Sequence, residues 1–220
     1  MKIIINSHVK SKIALDHLLE SIKTHGNIDE FPIIIFIGGY YHLNDYLIEI
    51  REHNIHYIFC NYNSIDLTAF IGLLELYSHN EDEYYMYLHD TCKIGPNFYN
   101  KLKSIDLTNI SSIKINKKIS MCIGIYSQKI INKNKDYLLK YKNKDDNNLL
   151  TIKYQHADIE DYIFNNDPNN IVLDNYDDWN YTGPSDYYST GTMRIVEYYS
   201  NIDLYKIKAN WGQGNMTLNN

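Results

Sequence analysis

Hydrophobic and polar positions change period repeatedly over the first hundred residues. Residues 2–6 ("KIIIN") are a short apolar, β-branched run that stops at polar Asn6, Ser7 and His8. Over residues 11–26, Ile13, Leu15, Leu18, Leu19 and Ile22 recur at helical spacing, and Gly26 suits a helix stop. Residues 31–39 ("FPIIIFIGG") read as a second, buried strand closed by two glycines. Residues 43–54 ("LNDYLIEIREHN") suggest a short amphipathic helix, and residues 55–61 ("IHYIFCN") a third strand. Residues 64–80 predict a helix with Ser64 as N-cap and Leu67, Phe70, Ile71 and Leu74 on one face. Residues 84–90 ("YYMYLHD") are a fourth strand, followed directly by a helix over 95–105 with Pro96 in its first turn.

This alternation predicts an α/β fold: a mostly parallel sheet, Rossmann-like, with helices on both faces. Ligands in such sheets bind at the carboxyl ends of the strands. Three predicted strands end there in polar groups, at residues 6–8, 61–63 and 89–91. The second half is less regular. Residues 118–127 read as a strand, 129–164 as mainly helical, and 165–192 as a long irregular loop. Two further strands follow within residues 193–208, in an irregular C-terminal extension. No repeat or linker divides the 220 residues, so a single domain is expected.

Charge narrows the partners. The formal net charge is −6, which argues against nucleic acid. Local lysine runs at 114–118 and 133–144 are interleaved with Asn and Asp and read as solvated surface. Cys60, Cys92 and Cys122 form no CxxC pair, so neither a zinc ribbon nor a disulfide framework is indicated, and free thiols suit a reducing, cytoplasmic setting. No stretch has the pattern of a signal peptide or the length of a transmembrane span. The 22 tyrosines accompany abundant Ile, Asn and Lys, all with A+T-rich codons; a sugar-stacking surface is the functional alternative.

The chemistry concentrates at His89, Asp90 and Thr91. P-loop, dinucleotide-binding and nucleophile-elbow patterns are absent. His89-Asp90 spells the dyad of HD phosphohydrolases, but those sites need more histidines on helices. An aspartate at a strand end can hold a divalent cation that offsets the charge of a diphosphate, and His89 is a possible second ligand if the ion is Mn²⁺. Alternatively, Asp90 caps the following helix and His89 packs at the strand end.

The run 84–102 resembles the metal-site segment of GT-A-fold glycosyltransferases, in which a strand ends in a D-x-D-like triplet before a helix. Residues 3–25 are similar to the family's first strand, nucleotide loop and helix, and residues 64–77 to the helix before the metal strand. The likeness covers roughly residues 1–130 and is closest to small family-2-like domains encoded by large DNA viruses and some bacteria. It implies a GT-A-like fold with a nucleotide-sugar-binding half (1–130) and an acceptor-binding half with a C-terminal tail (131–220). It also implies a nucleotide-sugar donor, with a UDP-sugar expected, a glycan or other hydroxyl acceptor, and Mn²⁺ or Mg²⁺; inversion of the anomer is expected, with retention left open. Ser7, His8 and Lys10 match the first nucleotide-contacting loop, Asn61 a base- or ribose-contacting position, and Asp90 the metal-binding aspartate. The triplet here has only one carboxylate.

The tail resembles that of such enzymes too, placing Arg194, Lys206, Lys208 and Trp211 within reach of diphosphate or acceptor. The bland alternative puts both lysines on the exposed face of an edge strand. An inverting enzyme needs a carboxylate base. The cluster at 156–162 offers Asp158 first and Asp161 second; Asp186 is a third candidate, and His156 a candidate metal ligand. A non-catalytic glycan- or protein-binding module on the same scaffold, and a nucleotidyltransferase, are the competing classes.

Overall fold

The structure is a computed structural model that describes residues 1–26, 28–52, 54–116, 122–145, 161–173, 180–181 and 194–209. A large sheet is built on β1 (Lys2–His8), whose neighbours are β2 (Ile33–Gly38) and β5 (Tyr84–His89), both parallel to it. Beyond β2 come β4 (Ile55–Phe59), parallel, and β3 (Leu47–Glu52), antiparallel at the edge. Beyond β5 come β8 (Gly124–Ser127), β7 (Ser112–Lys114) and β9 (Asn170–Val172). The strand order is β3-β4-β2-β1-β5-β8-β7-β9. This is the expected α/β architecture, with four of the seven strand pairings parallel.

Strand alternation sorts the isoleucines to two faces. Ile3, Ile5, Ile33, Ile35, Met86 and Leu88 pack with α1 (Lys12–His25) and α3 (Phe98–Lys103). Ile4, Ile34, Phe36, Tyr85 and Tyr87 pack with α2 (Thr68–Tyr77), α4 (Gln128–Lys133), α5 (Lys135–Lys140) and α6 (Tyr162–Asn165). Leu67, Phe70, Ile71 and Leu74 are buried as their spacing predicts. Ser64 precedes a single 3₁₀ turn, Ile65–Leu67, and its side chain makes no capping bond.

A second, antiparallel sheet has the order β10-β11-β12-β6. It joins β6 (Cys92–Ile94) to β10 (Asn180–Tyr181), β11 (Arg194–Tyr199) and β12 (Leu204–Ala209). The two C-terminal strands expected from sequence are therefore present, and they pair with a segment from the first half.

Three local expectations change. Residues 47–52 form edge strand β3 instead of a helix. The ladder to β4 holds it, and the Arg51 guanidinium lies over the Tyr57 and Phe59 rings at 4.7 and 5.4 Å. Long-range pairing outweighs the weak helical pattern there. Of the strand expected over 118–127, residues 118–121 lie outside the described residues and Gly124–Ser127 are strand, while Cys122 sits at a left-handed φ of 63° that an extended strand cannot use. The helical stretch from 129 breaks at Asn134 into α4 and α5, and the long loop contributes β9 and β10.

Candidate functional site

The chain lays β2 and β4 on one side of β1, then crosses to place β5 on the other. Between β1 and β5 the strand order reverses, and in open α/β sheets the crevice outside such a point is where ligands bind. Asn6 pairs with His89, and the Asp90 N–H donates to the Asn6 carbonyl at 3.0 Å, carrying the ladder one step further. By alternation Ser7 follows Ile3 and Ile5, while Asp90 follows Met86 and Leu88, so both project to the same face. They meet: the Ser7 hydroxyl donates to Asp90 Oδ2 at 2.9 Å.

Asp90 caps no helix. The chain turns at 90–91 and enters β6, and α3 starts only at Phe98. The carboxylate at the head of α3 is Asp203, whose Oδ2 accepts from the Asn97 N–H at 2.7 Å and whose Oδ1 accepts from the Tyr198 hydroxyl at 2.8 Å. Gly95 makes this contact possible, because a Cβ there would lie 2.2 Å from Asp203 Oδ1. Asp203 thus ties the turn between β11 and β12 to the corner leading into α3.

That tie sets the register of β12 on β6, with Leu204 opposite Ile94 and Lys206 opposite Cys92. Lys206 is consequently not on the exposed face of an edge strand. It is 6% exposed, on an interior strand, and its ammonium donates to the Thr91 hydroxyl. Glu197 is its register partner on β11, with a carboxylate that accepts from the Tyr199 hydroxyl at 3.1 Å. A buried carboxylate in the turn at 90–91, directly after β5, therefore lies with a buried ammonium supplied by β12.

Burial pushes the Asp90 carboxyl up to about 6, because desolvation penalises its charged form. The Lys206 charge, the hydroxyls of Ser7 and Ser11 and the Thr91 backbone pull in the opposite direction. Burial likewise raises the Cys92 thiol to about 11, with Lys206 again opposing. Cys92 stays a protonated core residue near neutral pH.

The other face is committed differently. The Asn6 amide donates to the Ile65 carbonyl, and its oxygen accepts from the Ala69 N–H, both at 2.9 Å, fastening the start of α2 to β1. His89 lies on this side, beside the Tyr87 ring, with Nδ1 3.4 Å from Asp66 Oδ1. His8 Nδ1 accepts from the Lys10 N–H at 3.1 Å. Gly39, at φ 98°, approaches the His8 ring closely, and a Cβ there would lie 2.7 Å from Nε2. The Lys10 side chain is exposed, and Asn61 donates to the Asn44 carbonyl at 3.1 Å. Of the expected nucleotide-contacting residues, Ser7, Asp90 and Lys206 are brought together; His8 and Asn61 are engaged elsewhere along the strand ends, and the Lys10 side chain is exposed.

Asp161 does not suit the role of base. Its side chain is 1% exposed, one oxygen pairs with Lys114 Nζ at 3.0 Å, and the other accepts from the Cys122 N–H at 3.0 Å. Both oxygens anchor structure, and a base needs one open to its substrate. Asp158, His156, Asp186 and Trp211 lie outside the described residues, as do the side chains of Arg194 and Lys208. Sequence reasoning missed Ser11, Asp66 and Asp203. Only Asp203 had a readable signal, an aspartate between two strand patterns, where turns favour that residue.

The donor set bears on the expected Mn²⁺ or Mg²⁺. Such an ion needs several oxygen or imidazole donors turned towards it. His89 and Asp90 leave the sheet on opposite faces, so they do not converge on one ion. Among the described residues no group of three or more His, Cys, Asp and Glu side chains is placed to hold a metal. The ammonium of Lys206 beside Asp90 adds a repulsive charge. Among the described residues, the Asp90 carboxylate, two serine hydroxyls and an ammonium, with Glu197 engaged by Tyr199, do not fit a divalent cation.

No protein-family model matches the chain. No curated protein matches it either. Solved structures to which the chain is similar include TarS 1–349 of S. aureus, at 14% identity and TM-score 0.42, over 61% of this chain and 49% of that one. The glycosyltransferase GlyE of Streptococcus pneumoniae TIGR4 gives 10% identity and TM-score 0.49, over 79% and 45%. A glycosyltransferase involved in glycosylation of the major capsid of PBCV-1 gives 14% and 0.43, over 78% and 82%. The chain spans about half the length of the TarS and GlyE structures. Among the described residues no helix is long and apolar enough to cross a membrane.

Proposed function

We propose that the chain is a glycosyltransferase that takes a sugar from a nucleoside diphosphate sugar, a UDP-sugar in the first instance, and passes it to a hydroxyl of a glycan or similar acceptor. The observation that carries this reading is the meeting of Ser7, Asp90, Thr91 and Lys206 at the strand-order reversal between β1 and β5. A buried cation and neighbouring hydroxyl donors suit phosphate oxygens. The sequence likeness to GT-A-fold enzymes over residues 1–130 supports the same assignment.

In the proposed reaction the acceptor oxygen attacks the anomeric carbon and forms a new C–O bond. The bond between that carbon and the β-phosphate oxygen breaks, and its electron pair leaves with the nucleoside diphosphate. The acceptor proton passes to a carboxylate, for which Asp158 and Asp186 remain the candidates. Direct displacement of this kind inverts the anomer.

Calorimetry with UDP and UDP-sugars tests the donor class. Binding with release of nucleoside diphosphate on adding acceptor is the expected result. No binding of any nucleotide at millimolar concentration would sink the assignment, and release of pyrophosphate would assign nucleotidyl transfer instead.

A further inference from the structure

We infer that the Lys206 ammonium is the cation that receives the diphosphate, so donor binding at this site needs no divalent metal. The inference rests on the glycosyl-transfer reading above and goes further, by naming which charge offsets the leaving group.

Three observations lead to it. The first is position. Lys206 comes from an interior strand whose register is fixed on β6 and whose adjoining turn is tied down by Asp203. Its charge is held by a ladder, with little of the freedom a surface lysine has, and a preorganised charge loses little on binding. The second is burial. At 6% exposure, Lys206 acts in a medium of low effective dielectric, where its attraction for a phosphate oxygen is stronger than at the surface. The third is the set of partners. An ammonium has three donors. The neutral Thr91 hydroxyl takes one of them, which orients the group without neutralising it. Asp90 offsets the burial cost through space and is itself held by Ser7.

The same geometry disfavours the alternative. A divalent ion at Asp90 would sit beside a fixed positive charge, with His89 turned to Asp66 across the sheet. Glu197, the other carboxylate in register with Lys206, is engaged by the Tyr199 hydroxyl. Asp90 therefore acts as a positioning residue for the ammonium and the turn at 90–91.

The test is UDP titration by calorimetry, in EDTA and in excess Mn²⁺, on the full chain and on Lys206→Met and Lys206→Arg. The expected result is the same UDP affinity in EDTA as in Mn²⁺. Lys206→Met should bind about tenfold to a hundredfold more weakly, the loss expected for one charged hydrogen bond, and Lys206→Arg should recover part of it. UDP binding to the unaltered chain that requires Mn²⁺ would overturn the inference while leaving glycosyl transfer standing. Absence of binding of UDP and of every other nucleoside diphosphate in both buffers would overturn both. The EDTA comparison needs no variant, so it decides the question even if Lys206→Met fails to fold.

Discussion

Replacing Asp90 by Asn should make the protein more stable at alkaline pH, and the size of the gain follows from the site. In the folded chain burial raises the Asp90 carboxyl from 3.8 to about 6. At about 1.36 kcal/mol per pKa step, the ionised form costs roughly 3 kcal/mol relative to the neutral form. The folded pKa lies above the unfolded one. The carboxyl therefore favours the folded state below pH 3.8, and that contribution disappears as pH rises through about 6. Asparagine mimics the neutral acid at every pH and still accepts from the Ser7 hydroxyl. Asp90→Asn should thus match the parent near pH 4 and gain up to about 3 kcal/mol at pH 8, or about 6–12 °C in Tm for a chain of this size. Urea unfolding of both proteins at pH 4, 6 and 8 measures it. A variant less stable than its parent at pH 8, or a difference that does not change with pH, would refute the reasoning. The same substitution should reduce donor turnover, since stability at such a site is gained at the expense of function.

Other substitutions probe the scaffold. Lys114→Met strands the Asp161 carboxylate in the core and should cost about 3–5 kcal/mol in urea unfolding; a loss below about 1 kcal/mol would show the pair to be dispensable. Gly72→Ala sits in the interior of α2, where alanine normally gains about 1 kcal/mol, yet its Cβ would lie 2.2 Å from the Phe36 ring. Overpacking of about 1–3 kcal/mol should win, and Tm should fall; a rise in Tm would mean that Phe36 moves freely. Asn6→Ala removes both bonds to the start of α2, so the Ala69 amide should exchange faster with solvent, with about 2 kcal/mol lost overall. Unchanged exchange at Ala69 would show that packing alone holds the helix.

The sequence made legible whatever depends on local period. The isoleucine runs of β1 and β2, the face of α2 and the polar end of β5 follow from spacing and burial alone. Residues 47–52 misled because an edge strand with both sides exposed has no burial pattern to display. β6 was invisible for another reason: its three residues are a strand only because residues 204–206 lie beside them. Lys206 was singled out by its residue type and by resemblance, but its burial and its bond to Thr91 depend on that distant pairing. Asp161 looked like a base because it lies in an acidic cluster, and sequence cannot reveal that Lys114 and the Cys122 amide occupy its oxygens.

The joining of β6 to β12 also bears on how the protein is made. Thr91 and Lys206 are 115 positions apart, and contacts of such separation form late because a long loop must close first. As the chain leaves the ribosome, β1, β2, β4 and β5 can assemble while Lys206 has yet to be synthesised. During that interval Asp90 lacks the Lys206 ammonium beside it, and the arrangement proposed to receive the diphosphate is not assembled. If Lys206 receives the donor's diphosphate as proposed, a nascent chain would not bind that donor until β11 and β12 dock, and a ribosome stalled before codon 206 would hold a sheet without that charge.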